Sequence, residues 1–133
     1  MKKGLTRYVY LMQRTGGRGR KKIIKIGIAK NPKSRLKQIN RSVKGKIILL
    51  DAFKVLEASK VEKELHQLFK KQNHKLTGAG GSEFFRLTNY QIKQVRVILS
   101  KHELRREKRL FLYFTGIGVF LIFIYHKISI VIT

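Results

Sequence analysis

The sequence predicts a small α+β domain, in which helices flank a mixed or antiparallel three-stranded sheet, followed by a hydrophobic C-terminal helix. Three observations indicate this fold: short apolar runs typical of strands, capped segments with helical periodicity between them, and an uncharged stretch near the C-terminus. The expected order is β-β-α-β-α-(short β)-α. A chain of 133 residues has room for one domain of ordinary size and an appendage.

Three apolar runs predict the strands. Residues 6–12 (TRYVYLM) are rich in aromatic and branched side chains, and Tyr10 would share one strand face with every second residue. Residues 23–28 alternate, so three isoleucines face the core and Lys25 stands on the opposite side. Residues 47–55 (IILLDAFKV) are almost continuously apolar, which predicts a strand in the middle of a sheet or beneath a helix.

The first helix is expected over residues 31–40, directly after the second strand. Asn31 can cap its N-terminus and Pro32 suits its first turn. Leu36 and Ile39 would point inward, since they lie three residues apart on one helical face.

A second helix is expected over residues 57–69 (EASKVEKELHQLF), which hold three of the seven acidic residues. The buried stripe of this helix is expected to contain Val61, Leu65 and Leu68. The i, i+4 spacing of Glu62 and His66 places a carboxylate and an imidazole together on its flank. Ion pairing of the glutamates with neighbouring lysines explains this segment equally simply, and helical geometry alone does not choose between Glu62 and Glu64.

The last predicted elements are a short extended piece, residues 83–87 (EFFRL), and a final helix. Thr88 and Gln91 form a capping-box signature for that helix. The two phenylalanines, Phe84 and Phe85, are expected in the core, with base stacking as the minor alternative.

The composition indicates a polyanionic partner. Thirty-one Lys and Arg against seven Asp and Glu give a net charge of +24, far beyond what solubility requires. Nucleic acid is the first candidate and an anionic membrane surface the second. The absence of cysteine excludes disulfides and Cys-based zinc sites, and the N-terminus has too short an apolar run for a secretory signal.

The C-terminal stretch predicts a membrane anchor. Residues 110–125 carry no charge and would span about 24 Å as a helix, slightly less than a hydrocarbon core of about 30 Å. We therefore expect a domain over residues 1–105 and, within residues 106–133, a basic flank and a single transmembrane helix at about 110–130. The positive flank would keep the domain cytoplasmic. A buried terminal helix and strand, or an oligomerisation segment, is the alternative.

The stretches YVYLM, KIGIAKNPKSRL, EASKVEKELHQLF and GSEFFRL resemble the GIY-YIG nuclease superfamily, and within it the phage-type (Orf172-like, MUG-type) branch that is often labelled a DNA-binding domain. The resemblance covers about residues 7–90. It implies a GIY-YIG-like fold, DNA as the substrate and a divalent cation, Mg²⁺ or Mn²⁺, as the cofactor.

The resemblance also implies site residues. The first tripeptide falls on residues 8–10 and its functional tyrosine on Tyr10, while the second tripeptide falls on residues 25–27. Tyr8 and Lys25 stand where the tripeptides have glycine and tyrosine. The candidate catalytic residues are Tyr10, Lys25, Arg35, Glu62 and His66, with Glu62 as the metal ligand. The candidate DNA contacts are Lys21, Lys22, Lys30, Lys33 and Lys37.

Phosphodiester hydrolysis gives these residues physical roles. Positive neighbours, Lys25 and Arg35, are expected to lower the pKa of Tyr10 so that its hydroxyl can take a proton from water. Arg35 can also donate a fork of hydrogen bonds to the phosphate. His66 would orient Glu62, hold a water or protonate the leaving oxygen, or make a structural hydrogen bond only.

Three functions remain open at this point. The first is a metal-dependent DNA endonuclease that a membrane anchor tethers. The second is a DNA-binding module that keeps the fold without hydrolysis, which Tyr8 and Lys25 favour. The third is a membrane-surface protein whose charge serves anionic lipid. Glu83 is a further polar candidate to which the sequence assigns no role.

Overall fold

The computed structural model describes residues 6–78 and 81–104. Its elements follow the predicted order, with two short 3₁₀ helices, Lys70–Gln72 and Gly81–Glu83, before the last strand. The strands and helices are β1 (Arg7–Arg14), β2 (Lys21–Ala29), α1 (Pro32–Ser42), β3 (Ile47–Val55), α2 (Ala58–Leu68), β4 (Phe84–Thr88) and α3 (Asn89–His102). The α+β class is confirmed.

The sheet has four antiparallel strands in the order β3-β1-β2-β4, one strand more than predicted. The additional strand is β4, which the sequence showed only as a short extended piece. Its five residues pair with Lys21–Lys25 of β2. So short a run does not reveal its pairing partner, which is distant in sequence. Beyond Lys25, β2 continues to Ala29 without β4 beside it.

Both faces of the sheet are covered. Helices α2 and α3 pack on the face that carries the isoleucines of β2, with Leu65 and Val95 in that core. Helix α1 packs on the opposite face, where Tyr10 and Phe84 are buried. The predicted placement of Lys25 opposite the isoleucines is confirmed, but Lys25 is completely buried on this second face rather than solvated.

The predicted helix caps are present. The Asn31 side chain accepts a hydrogen bond from the Ser34 amide at 3.1 Å, with Pro32 in the first turn of α1. Thr88 and Gln91 form the reciprocal capping box at the start of α3. These bonds satisfy amides that have no partner within the helix.

One core assignment in α2 is wrong. Leu68 is 60% exposed, whereas Phe69 is 4% exposed and closes the buried stripe. The stripe runs Ala58, Val61, Leu65, Phe69, so its last step is four residues rather than three. Both steps keep a residue near one helical face, and here the larger aromatic side chain fills the core.

The predicted transmembrane helix at about 110–130 lies outside the described residues. In the part of the chain that the structure describes, no helix combines the length and the apolar character needed to cross a bilayer. The division into residues 1–105 and 106–133 stays a prediction.

Candidate active site

Tyr10 lies at the centre of the candidate site. It stands in β1 opposite Gly27 of β2 and is 1% exposed. Its ring covers Gly27 so closely that a Cβ added at Gly27 would lie 2.5 Å from the Tyr10 hydroxyl oxygen. Arg35, on the half-buried side of α1, hydrogen bonds with this hydroxyl. Arg35 also donates from Nη1 to Oε1 of Gln38 at 3.2 Å, which holds the guanidinium over the tyrosine.

The pKa of Tyr10 is raised above 10.0, contrary to the expectation that positive neighbours would lower it. Burial of the phenol is the largest cause, because an ionised phenolate loses its hydration. The hydrogen bond and positive charge of Arg35 lower the pKa, while the negative charges of Glu83 and Glu62 raise it. Burial therefore outweighs Arg35, and the hydroxyl keeps its proton at neutral pH.

Lys25 is buried beside Tyr10 rather than presented to solvent. Its Nζ donates to Oε2 of Glu83 at 2.6 Å and lies 4.9 Å from the centre of the Phe84 ring. Burial lowers the pKa of Lys25, and the hydrogen bond and charge of Glu83 oppose that change. The lysine thus belongs to the same charged group as Glu83, Arg35 and Glu62.

Glu62 and His66 meet the exposed edge of β2 where β4 ends. His66 Nε2 donates to the Ile26 carbonyl at 2.8 Å, and the Glu62 carboxylate accepts from the Ile28 amide. The two side chains therefore lie on the same flank of α2, as their i, i+4 spacing predicts. They contact backbone groups of β2 that are two residues apart. Because a carbonyl only accepts, Nε2 carries the proton, and in neutral His66 the lone pair is on Nδ1. The imidazole also packs against Phe85 in a tilted arrangement, with centroids 5.1 Å apart and an angle of 47° between the ring planes.

The charge of Glu62 reaches Tyr10, although α2 packs on the sheet face opposite to the one that buries Tyr10. Glu62 lies at the strand edge, and its charge raises the pKa of both Tyr10 and Lys25. The pKa of Glu62 is itself raised, first by burial and then by Glu83, while His66, Lys25 and the Ile28 amide lower it. Tyr10, Lys25, Arg35 and Glu62 therefore share one electrostatic environment.

Glu83 is the member of this group that the sequence did not assign. It lies 58 residues from Lys25 in the chain, in the 3₁₀ helix before β4. The only sequence signal was the presence of a rare carboxylate in a glycine-rich segment. Asp51, by contrast, pairs with Arg96 at 2.5 Å, and both are partly exposed, as expected for a surface charge.

The predicted DNA-contacting lysines divide into two exposed groups. Lys30, Lys33 and Lys37 lie around the start of α1, near Arg35. Lys21 and Lys22 lie at the opposite end of β2, beside Thr88 and Leu87 of β4. Only the first group lies near Arg35 in the chain, the residue that contacts Tyr10.

The donor set suits a cation that the protein holds with few ligands. Over residues 6–78 and 81–104, no three or more His, Cys, Asp or Glu side chains cluster in a way that could hold a metal ion. Glu62 is half-buried, and the nearby carboxylate of Glu83 adds negative charge. One carboxylate, water and a substrate phosphate are a common ligand set for Mg²⁺, so the residues fit this cation through Glu62.

Comparison with known proteins identifies the family. The T5orf172 domain matches residues 7–100, which extend from β1 into α3 and contain every candidate catalytic residue. No curated protein and no solved structure matches the chain. The match covers more than half of the chain and is compatible with a nuclease or DNA-binding role. The chain therefore belongs to the T5orf172 domain family, a phage-associated domain related to GIY-YIG and homing-endonuclease-like folds.

Proposed function

We propose that this chain is a GIY-YIG-type endonuclease that hydrolyses DNA phosphodiester bonds with a divalent cation. The observation that carries the proposal is the contact between Tyr10 and Arg35 within the electrostatic reach of Glu62. A hydroxyl, a guanidinium and a carboxylate on three different elements thus act on one another electrostatically. This combination suits a phosphodiester and a water molecule.

Arg35 and Tyr10 would act on the substrate directly. The guanidinium can donate two parallel hydrogen bonds to phosphate oxygens, whose negative charge increases in the transition state. The neutral Tyr10 hydroxyl can accept a hydrogen bond from the attacking water and donate one to the phosphate. Because Gly27 has no side chain, the phenol can occupy this position between the strands.

Glu62 would hold Mg²⁺ or Mn²⁺ together with water and the substrate phosphate. When bound, the cation would act as a Lewis acid on a phosphoryl oxygen and offset the negative charges that raise the pKa of Tyr10. The hydrogen bond from the Ile28 amide fixes the carboxylate at the edge of β2. His66 supports the same edge through the Ile26 carbonyl, so we assign it a positioning role.

Lys25 would contribute positive charge without touching the phosphate. Its ammonium is buried on the sheet face that carries Tyr10 and is paired with Glu83. The pair also fixes the start of β4 against β2.

One observation favours the second candidate function, DNA binding without hydrolysis. Lys25 stands where the second tripeptide of the GIY-YIG superfamily has a tyrosine, and its amino group is turned inward to Glu83. A site that lacks this second tyrosine could keep the basic surface and the fold while binding DNA only.

A plasmid assay separates the two functions. Supercoiled DNA is incubated with the full chain in non-ionic detergent, with Mg²⁺ or Mn²⁺ and with EDTA, beside the Tyr10→Phe variant. The nuclease proposal expects nicked or linear DNA from the wild type with metal only, and strongly reduced cleavage by Tyr10→Phe. A retarded plasmid that is never nicked supports the binding module. A membrane tether through residues 110–130 stays a separate proposal.

A further inference from the structure

The end of the sheet opposite Tyr10 carries a concentrated positive charge. The β1–β2 hairpin and the loop between α1 and β3 meet there, and no acidic residue precedes Asp51 in the chain. We call this surface the basic end. It comprises Arg14, Arg18, Arg20, Lys21, Lys22, Lys44 and Lys46.

Hydrogen bonds hold its two segments together. The amide and the hydroxyl of Thr15 both donate to the Lys46 carbonyl, at 2.8 and 3.1 Å. The Asn40 side chain donates to the Ile47 carbonyl at 3.0 Å and accepts from the Ile47 amide at 2.7 Å. The hairpin and the loop are therefore fixed relative to each other and to α1.

Glycines let the two segments approach closely. Gly45 has a φ of 101°, and a Cβ there would lie 3.0 Å from Nε of Arg14. The arginine thus lies across the loop. At the tip of the hairpin, a Cβ added to Gly16, Gly17 or Gly19 would meet nothing within 4 Å, so the backbone there is open to a partner.

The positive charges of the basic end face solvent. All of its side chains except Arg14, which is half-buried, are exposed. Among residues 6–78 and 81–104, the two recorded ion pairs are Lys25–Glu83 and Arg96–Asp51, and neither involves the basic end. The Lys and Arg side chains of the basic end thus form a fixed group of solvated positive charges. Such a group suits a polyanion whose negative charges are regularly spaced.

The length of β2 sets the distance between the basic end and the Tyr10 site. Lys21 and Gly27 are six residues apart, which at about 3.3 Å per residue is about 20 Å. Phosphates along one strand of B-DNA advance about 3.4 Å per base pair, so this distance corresponds to about six base pairs. The lysines at the start of α1 form a second basic group at the Tyr10 end. These two separated groups of positive charge suit a polyanion that is long enough to contact both.

We propose that the basic end is a second phosphate-binding site, which holds the backbone of duplex DNA about six base pairs from the Tyr10 site. The inference deepens the proposed function, because it rests on DNA being the ligand of the Tyr10 site. The duplex would therefore lie along the strand direction, and substrates that reach both ends would bind more tightly than short ones.

The test measures DNA binding by the full chain in EDTA, so that no cleavage intervenes. The variant Arg18→Gln/Arg20→Gln/Lys44→Gln removes three charges from the basic end. The matched control, Lys63→Gln/Lys93→Gln/Lys101→Gln, removes three exposed charges from α2 and α3. Fluorescence anisotropy compares hairpin-capped duplexes of about 4 base pairs, too short to reach both ends, and about 24 base pairs over a range of salt.

For the long duplex, we expect the slope of log K against log salt to become shallower by about 2.7 in the basic-end variant, because three phosphate contacts are lost at about 0.9 each. The control should keep the wild-type slope, and both proteins should bind the short duplex with similar affinity. Thermal unfolding that matches the wild type verifies that the variant is folded.

Three outcomes would overturn the inference: equal slopes for the variant and control, an equal loss on long and short duplexes, or lost binding to vesicles of anionic lipid with unchanged DNA binding. The nuclease proposal fails separately. If the wild type binds DNA with the expected slope but never cleaves it, the basic-end inference is supported and the nuclease proposal is contradicted. If the basic-end variant cleaves and binds DNA like the control, the nuclease proposal is supported and the basic-end inference is contradicted.

Discussion

The Tyr10 ring occupies the space that a side chain at Gly27 would need. A Cβ at Gly27 would lie 2.5 Å from the hydroxyl oxygen and 2.7 Å from the ring carbon that bears it. The absence of a side chain at Gly27 therefore allows the phenol to lie over this residue and to reach Arg35.

The variant Gly27→Ala should displace Tyr10. We expect a loss of about 1–3 kcal/mol in the free energy of unfolding, because the core on this face is overpacked. Urea unfolding followed by circular dichroism measures it. Gly17→Ala is the matched control, since an added Cβ there meets nothing within 4 Å. Equal stability of the two variants would show that the ring moves aside freely.

The Lys25–Glu83 pair should be strongly coupled. Lys25→Met or Glu83→Gln alone breaks the ion pair between a buried ammonium and a half-buried carboxylate. We expect each to lower the free energy of unfolding by about 3 kcal/mol, the low end of the range for buried pairs, because the Glu83 side chain is 34% exposed. The double variant should lose less than the sum.

The Arg96–Asp51 pair is the control for this cycle. Its side chains are 47% and 34% exposed, so Arg96→Met and Asp51→Asn should each change stability by less than about 1 kcal/mol. Additive losses at Lys25 and Glu83 would show that the two residues are not energetically coupled.

Burial of Lys25 also predicts a pH dependence of stability. The pKa of Lys25 is lowered in the folded protein below its unfolded value of 10.5, so the unfolded chain binds more protons between the two values. The contribution of Lys25 to the free energy of unfolding therefore rises with pH up to 10.5. It is lost as the pH falls through the pKa of Lys25 in the folded protein. The stability of the wild type relative to Lys25→Met should increase from pH 8 to pH 10, as measured by urea unfolding. A decrease would contradict the assigned direction.

The sequence predicted much of the fold and part of the site. The order of elements along the chain, the Asn31 cap and the opposite placement of Lys25 and the isoleucines follow from local patterns. Pairing of β4, burial of Lys25 and its contact with Glu83 depend on residues far apart in the chain, which local periodicity does not record. The raised pKa of Tyr10 could not be predicted from the sequence either. It results from burial, which outweighs the effect of Arg35, and this burial arises only when α1 packs on the sheet.

Titration of Tyr10 tests whether Glu62 places a cation near the phenol. In EDTA the phenol should ionise above pH 10.0, as shown by the ultraviolet difference between the wild type and Tyr10→Phe. Ca²⁺, a hard cation that stays dissolved in alkaline buffer, should lower this pKa through its positive charge.

The Glu62→Gln variant should titrate at a lower pH than the wild type in EDTA, since one negative charge that raises the pKa of Tyr10 is gone. It should also lose the response to Ca²⁺. An unchanged response in Glu62→Gln would place the cation elsewhere.

The central claim is that Glu62, and not its neighbour Glu64, holds the catalytic cation. Glutamine at position 62 can still accept the hydrogen bond from the Ile28 amide, so the exchange removes charge while keeping that contact. Glu64 is exposed on the same helix and offers a matched control.

The most direct measurement is the initial rate of plasmid nicking in Mg²⁺ by the wild type, Glu62→Gln and Glu64→Gln, at equal DNA occupancy. We predict that Glu64→Gln nicks within about twofold of the wild type and that Glu62→Gln is slower by at least about 100-fold, because the Lewis acid is lost. Equal rates for the two variants, or DNA binding by the wild type without any nicking, would contradict the account.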